Sequence, residues 1–372
     1  MLNRRILRVK AMQSIYAFER NKESAFHLVL ANIKEDFRLE MLRMGKDNRE
    51  LMSEREKKVA DAFKEYVQNN VTTSESFDGD EFSQKIFLSA CASYRDKIYK
   101  DRQYHKELMI SETEKVYDRY LRMLNLVLNL ASVDRSLNLL ENKVISCWRN
   151  NASLQRIITE KKVDWDTDLI KQWYRNLKKD EELVKGITVE SGDFAEEKMA
   201  VRVLIRDFLY KNEQIIEFFE EEDINWSENK DIVKSMLINT VKGMEDDDCE
   251  NQRLYLLSRN WEEDREFFVD LFDFYMKDKT QYEQIISKQA KKWSLDRIAS
   301  VDRIAIEMAI CEMLNFSSIP VKVTINEYID IAKTYSTPKS WQFVNGMLDE
   351  IAKKLEDEGQ IRKTGRGLID NK

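Results

Sequence analysis

The chain has 372 residues, with 61 Lys and Arg against 68 Asp and Glu for a net charge of −7, and only 2 His, 2 Pro, 9 Gly and 4 Cys. His27 and His105 lie far apart, which excludes a His-rich metal site and leaves a Ser/His/Asp triad only one of the two to use. Cys91, Cys147, Cys249 and Cys311 show no C-x-x-C spacing, so neither a zinc ribbon nor a disulfide framework is expected, and the scarcity of turn residues argues against an all-β fold and for long helices.

In chain order, residues 3–20 read as one helix capped by Asn3, with Leu7, Ala11, Ile15 and Phe18 as its buried stripe. Residues 25–44 read as a second helix and 50–68 as a charged, solvated third, followed by a polar loop at 69–80 containing Gly79. Residues 116–132 are Leu-rich and read as buried; 186–193 and the acidic 242–251 read as further loops. A faint repeat places Ile157-Ile158 before Trp165, Ile215-Ile216 before Trp226 and Ile285-Ile286 before Trp293, with Asp166, Glu228 and Asp296 close behind each Trp. It reads either as a helix–turn–helix module anchored by Trp or as ordinary filling of helical cores.

The C-terminal third is better punctuated. Residues 300–316 form an apolar helix with Val301, Ile304, Ala305, Met308, Cys311 and Leu314 inward, stopped by Ser317-Ser318-Ile319-Pro320. Thr324 and Glu327 read as a capping box for the next helix, whose inner face is Ile325, Tyr328, Ile329, Ala332 and Tyr335. Thr337-Pro338 reads as the following N-cap and first position, and the last helix turns Trp341, Val344, Leu348, Ile351 and Leu355 inward. The fold class is all-α. No apolar run approaches the roughly 20 residues that span a bilayer, and Lys10 and Gln13 interrupt any signal-peptide core, so a cytoplasmic location is expected.

Chemistry points to the N-terminus. Arg4, Arg5, Arg8 and Lys10 precede the first acidic residue, Glu19, although positive charge in a first helical turn opposes the macrodipole by about 0.3–1 kcal/mol per charge. A polyanion compensates for that cost. Arg5, Arg8, Met12 and Tyr16 share one helical face, and guanidinium groups beside an aromatic ring suit single-stranded RNA, whose unstacked bases stack on both. The alternatives are a basic helix without a ligand, or one that meets an acidic protein surface. No Gly-rich phosphate loop, G-x-S-x-G, H-E-x-x-H or D-x-D-x-D-G is present, and the carboxylate runs at 220–223 and 245–248 read as solvated surface, so no catalysis, metal or cofactor is expected.

The opening RRILRVKAMQSIYAF (4–18) resembles the first helix of NusB transcription antitermination factors, in which an arginine-rich start leads into A-x-Q-x-x-Y. Three later segments, 293–314, IPVKVTINEYIDIAKTYS (319–336) and FVNGMLD (343–349), resemble that family's last helices in order and spacing. The similarity covers about 1–18 and 264–355; the added helical middle resembles the long form of the family in Bacteroidetes-type bacteria. The resemblance implies a NusB-like helical bundle with a large additional helical insertion. It implies a core begun at 1–38, extra helices at 39–250, a C-terminal domain at 251–357 and a basic, flexible tail at 358–372.

It also implies function. Members pair with NusE, a small-subunit ribosomal protein, bind boxA-type RNA of ribosomal RNA leader transcripts, and help RNA polymerase resist termination. Residue by residue, RNA contact carries over to Arg4, Arg5, Arg8, Lys10, Gln13 and Tyr16, and further to Lys322, Lys339 and Phe343. Asp302 is the candidate protein-contact residue, with an ordinary helix-start carboxylate as its alternative. Self-association is left open. The competing reading of the whole is a helical protein-binding scaffold of the transcription or ribosome-assembly machinery, without RNA binding of its own.

Overall fold

A computed structural model describes residues 1–43, 49–69, 77, 79–134, 136–188, 193–289 and 298–369. The helices are α1 (Arg4–Arg43), α2 (Arg49–Asn69), α3 (Glu81–Ala131), α4 (Lys143–Asn150), α5 (Ala152–Glu160), α6 (Thr167–Lys179), α7 (Glu181–Ile187), α8 (Phe194–Val203), α9 (Glu213–Glu222), α10 (Trp226–Lys242), α11 (Trp261–Gln289), α12 (Ser300–Asn315), α13 (Val321–Tyr335) and α14 (Ser340–Asp357). Among the described residues there is no strand, and no helix is long and apolar enough to cross a membrane. The all-α class is as expected from the sequence.

The chain divides into two compact units, one of Met1–Leu7 and Ser111–Arg265, the other of Arg8–Ile110 and Glu266–Lys372. In the first, the C-terminal half of α3 (Val116, Tyr120, Leu124, Val127, Leu130) is buried with Trp148, Trp173 and Trp226. The long helices expected are present in α1 and α3, of 40 and 51 residues, whereas α4–α9 of this unit are short. Asx residues punctuate them in place of Gly and Pro: the side chains of Asn142, Asn151, Asp166, Asp180, Asp193 and Asn212 accept from the first amides of α4, α5, α6, α7, α8 and α9. Each cap satisfies amides that the helix itself leaves unpaired.

Two of the three Ile-Ile and Trp segments lie in this unit. Ile157-Ile158 lie within α5 and Ile215-Ile216 within α9; Asp166 caps α6, and Glu228 lies in the first turn of α10. Their tryptophans share one aromatic cluster, Trp165 lying 5.9 Å and Trp226 4.6 Å from the Phe219 ring. Trp293 and Asp296 of the third copy lie outside the described residues.

Cys147 of α4 and Cys249, in the 3₁₀ turn Asp246–Asn251, form a disulfide with Cα atoms 5.5 Å apart at a sequence separation of 102. This corrects the expectation from spacing: packing of α4 against the acidic turn joins cysteines that no local motif relates.

In the second unit, α1 runs unbroken through the gap expected between residues 20 and 25. Glu19–Ser24 contains no Gly or Pro, and the stripe simply continues through Ala25, Val29, Ile33 and Phe37, all buried against Met52, Val59 and Phe63 of α2 and Phe87, Cys91 and Tyr94 of α3. The helix expected to be solvated, α2, therefore has one core face. Of the loop expected at 69–80, Phe77 is buried, Gly79 adopts φ +80°, and residues 70–76 and 78 lie outside the described ones, as does part of 186–193.

α12 is buried on all sides, including Glu307 and Glu312, rather than on one face only. α13 begins at Val321 with Pro320 before it, so Thr324 is inside the helix and does not cap it; α14 begins at Ser340, after a turn in which Ser340 N–H donates to Thr337 O at 3.0 Å. Trp341 faces out at 37% exposure, with Lys333 Nζ 5.4 Å from its ring centre, while Val344, Leu348, Ile351 and Leu355 face in. Gly346 has nothing within 4 Å of where a Cβ would stand, so it serves no close helix approach. The segment beyond α14 docks: Thr364 N–H donates to Ser317 O at 2.9 Å and Lys363 Nζ to Phe316 O at 2.9 Å. Burial lowers the Lys363 ammonium to about 8.

Candidate functional site

The N-terminal helix begins as read, with the Asn3 side chain accepting from Ile6 N–H at 3.0 Å. Arg4 is partly exposed and pairs with Glu263 at 2.5 Å and, more loosely, with Asp264 at 3.7 Å. Arg5 is exposed.

From residue 7 the helix sinks into the fold, and the buried run Leu7–Met12 includes two cations of the candidate set, Arg8 and Lys10. The Arg8 guanidinium is bidentate on Glu312, Nε to Oε2 at 2.7 Å and Nη2 to Oε1 at 2.8 Å. Thr324 Oγ1 donates to the same carboxylate at 2.7 Å, and Arg8 lies 5.2 Å from the Phe267 ring centre. Burial disfavours the Arg8 charge, but attraction and hydrogen bonding to Glu312 outweigh it and hold the guanidinium above its usual range. Arg8 thus ties α1 to α12 and α13.

One turn on, the helix surfaces again. Gln13 is half-buried, and Tyr16 is 37% exposed with the Arg20 guanidinium 5.3 Å from its ring centre and donating from Nε to the phenol oxygen at 3.3 Å. This aromatic–cation pair can stack a flat ligand and hold negative charge beside it. Behind it the helix is anchored by polar bonds: Ser14 Oγ donates to His105 O at 2.8 Å, and the Asn21 amide meets His105 Nε2 at 2.8 Å. His105 is buried, and that burial lowers its pKa; His27 is exposed.

The remaining candidates lie on other elements. Lys322 is exposed in the first turn of α13; Lys339 is exposed in the turn before α14 with φ +75°, and Phe343 is half-buried on α14. Asp302, in the first turn of α12, is 4% exposed, and its Oδ1 has no hydrogen-bond partner among the described residues.

Sequence reading missed Arg20, Glu307, Glu312 and Arg303. The signal for the glutamates is their position inside the apolar run IAIEMAICEML, where a solvated charge has no place. Glu307 accepts from Tyr275 OH at 2.5 Å and lies 3.7 Å from Arg303 Nε; burial pushes its carboxyl up to about 7. Among the described residues no group of three His, Cys, Asp or Glu side chains could hold a metal ion.

A family model described as the NusB family matches residues 229–353, which includes α11–α13 and leaves out α1, α2 and α3. The transcription antitermination protein NusB of Salinibacter ruber (strain DSM 13855 / M31) is 47% identical over 105 residues, 28% of this chain and 66% of that protein. That of Chloroherpeton thalassium (strain ATCC 35110 / GB-78) is 48% identical over 85 residues, 23% of this chain and 40% of that protein. That of Koribacter versatilis (strain Ellin345) is 33% identical over 131 residues, 35% of this chain and 90% of that protein. The chain therefore spans less than two thirds of the first two relatives and most of the third. No solved structure matches it.

Proposed function

The chain belongs to the NusB family, and from that premise we propose that it is an RNA-binding transcription antitermination factor without catalysis of its own. With NusE it binds boxA-type RNA of ribosomal RNA leader transcripts and helps RNA polymerase resist termination, in the cytoplasm. The observation that carries the RNA reading is Tyr16, an aromatic ring that emerges with Arg20 beside it from a helix otherwise buried over the preceding turns. Stacking on such a ring supplies about 1–3 kcal/mol per base.

The contact surface is assigned to Arg5, Gln13 and Tyr16, extended by Lys322, Lys339 and Phe343. Arg4 reaches RNA by exchanging Glu263 for phosphate, while the buried Arg8 and Lys10 hold the helix in place. The partner contact is assigned to Asp302, whose carboxylate keeps one unsatisfied oxygen. The family core comprises 1–38 and 251–357, with 39–250 an addition.

The test is co-purification with NusE, followed by anisotropy with a labelled boxA-type single strand. Tyr16→Ala and Arg5→Glu weaken binding, and salt weakens it further. Wild-type binding that neither variant changes would overturn the residue assignment, and ribonuclease-resistant capture of NusE without any RNA affinity would favour the scaffold reading.

A further inference from the structure

We propose that α2 forms one wall of a pocket that takes a single nucleotide, an unstacked base with its phosphate. This places part of the added helical region in ligand binding. The pocket, of about 430 Å³, lies among α1, α2, α3 and the start of α12. That volume is within the roughly 300–1,000 Å³ of small-molecule sites.

Two features of its lining select the ligand. Tyr16, Phe26 and Tyr94 give it aromatic walls. Its charged residues are Arg20, Lys22, Lys64 and Arg303 against Glu19 and Glu23, four positive to two negative, so it favours an aromatic ligand that carries negative charge. An unstacked base stacks on such aromatic walls, and its phosphate pairs with the basic side chains.

Lys64 and Gln68 are the residues that α2 contributes at the mouth. Both are exposed, and Lys64 Nζ makes a surface ion pair with Asp61 at 2.8 Å, a contact weak enough to yield to phosphate.

The inference rests on the RNA reading for the source of the nucleotide, a strand, and a free nucleotide is the other source of the same chemistry. The experiment uses the full chain with NusE and a labelled boxA-type single strand, and in parallel equilibrium dialysis with uridine and adenosine monophosphates. Lys64→Ala and Gln68→Ala sit on an exposed face and leave the thermal unfolding curve unchanged. Lys64→Ala is expected to weaken strand binding by roughly tenfold and to reduce its salt dependence by about one phosphate contact.

If the wild type binds the strand and neither variant alters it, the pocket assignment fails while the function reading stands. If the wild type binds no strand even with NusE, the function reading fails, and the dialysis decides the pocket. Monophosphate binding that Lys64→Ala weakens keeps it as a free-nucleotide site, and no binding overturns it.

Discussion

Arg8 and Glu312 meet as a bidentate ion pair with side chains 3% and 0% exposed, the carboxylate further bonded by Thr324 Oγ1 at 2.7 Å. A charge so placed is tolerated only with its partner, because neither water nor another cation replaces it. Glu312→Ala therefore leaves the buried guanidinium with only the longer ion pair to Glu327 at 3.6 Å among the described residues, and is expected to cost about 3–5 kcal/mol in urea unfolding. The double variant Arg8→Met, Glu312→Leu, which removes both charges, should recover most of that loss. A single variant no less stable than wild type would show that the pair does not hold α1 to α12.

The same burial separates two kinds of N-terminal variant. Tyr16 is surface-exposed beside Arg20, whereas Arg8 is interior. Tyr16→Ala is expected to lower affinity for a boxA-type strand by about 1–3 kcal/mol at unchanged stability. Arg8→Ala is expected to lower stability first. Anisotropy and thermal unfolding on the same samples check this, and a stable Arg8→Ala protein with weakened RNA binding would return Arg8 to the contact surface.

Glu307 predicts a pH dependence. Its carboxyl titrates near 7 in the folded protein because burial disfavours the charge, against an ordinary value of 4.5. The folded state thus binds the proton more tightly than the unfolded state. Its contribution is fully present below about pH 4.5, is lost as pH rises to 7, and is constant above that. Measured against Glu307→Gln, which keeps an acceptor for the Tyr275 hydroxyl, the wild type should lose about 3 kcal/mol across that window. Parallel stability curves for the two proteins between pH 5 and 8 would contradict it.

Much of this arrangement is legible in the sequence, and what is not has physical reasons. The Asx caps of α4 to α9 are local, one side chain to one or two amides, and each stands in the sequence as Asn or Asp ahead of its helix. α1 reads in the sequence as two helices, 3–20 and 25–44, yet no Gly or Pro stands between them, and the stripe resumes in phase at Ala25. Thr324 carries the capping signature, T-x-x-E, but its hydroxyl is drawn to Glu312 on a neighbouring helix, a tertiary partner that spacing cannot reveal. The basic N-terminus was visible as charge. Which of its cations face water was not, because that depends on where α12 places its glutamates.

The Cys147–Cys249 disulfide closes a span of 102 residues between α4 and the acidic turn. Cross-linking residues so far apart restricts the unfolded chain, and reduction is expected to cost about 2–4 kcal/mol. Burial pushes the remaining thiols, Cys91 and Cys311, up to about 11 and 12, so neither is a reactive thiolate that would exchange with the bond. Urea unfolding with and without dithiothreitol checks the effect. Cys249→Ser should match the reduced protein and be insensitive to reductant; equal stability in all samples would show that the bond contributes nothing.

Gly367 tests whether the docked C-terminal segment belongs to the fold. A Cβ built there would stand 2.1 Å from the carbonyl oxygen of Ser317, a backbone atom in the turn after α12 that cannot swing aside as a side chain does. The segment approaches this closely because Thr364 N–H bonds the same carbonyl at 2.9 Å, and Lys363 is fixed one residue earlier on Phe316 O. Gly367→Ala must therefore push the segment off the turn, breaking both bonds, and overpacking of this kind costs about 1–3 kcal/mol. The loss should be local. Limited proteolysis is expected to cut Gly367→Ala after Lys363 or Arg366 far faster than wild type, and hydrogen exchange at Thr364 should accelerate while the amides of α12 stay protected. Unchanged cleavage would mean that the segment does not hold this position.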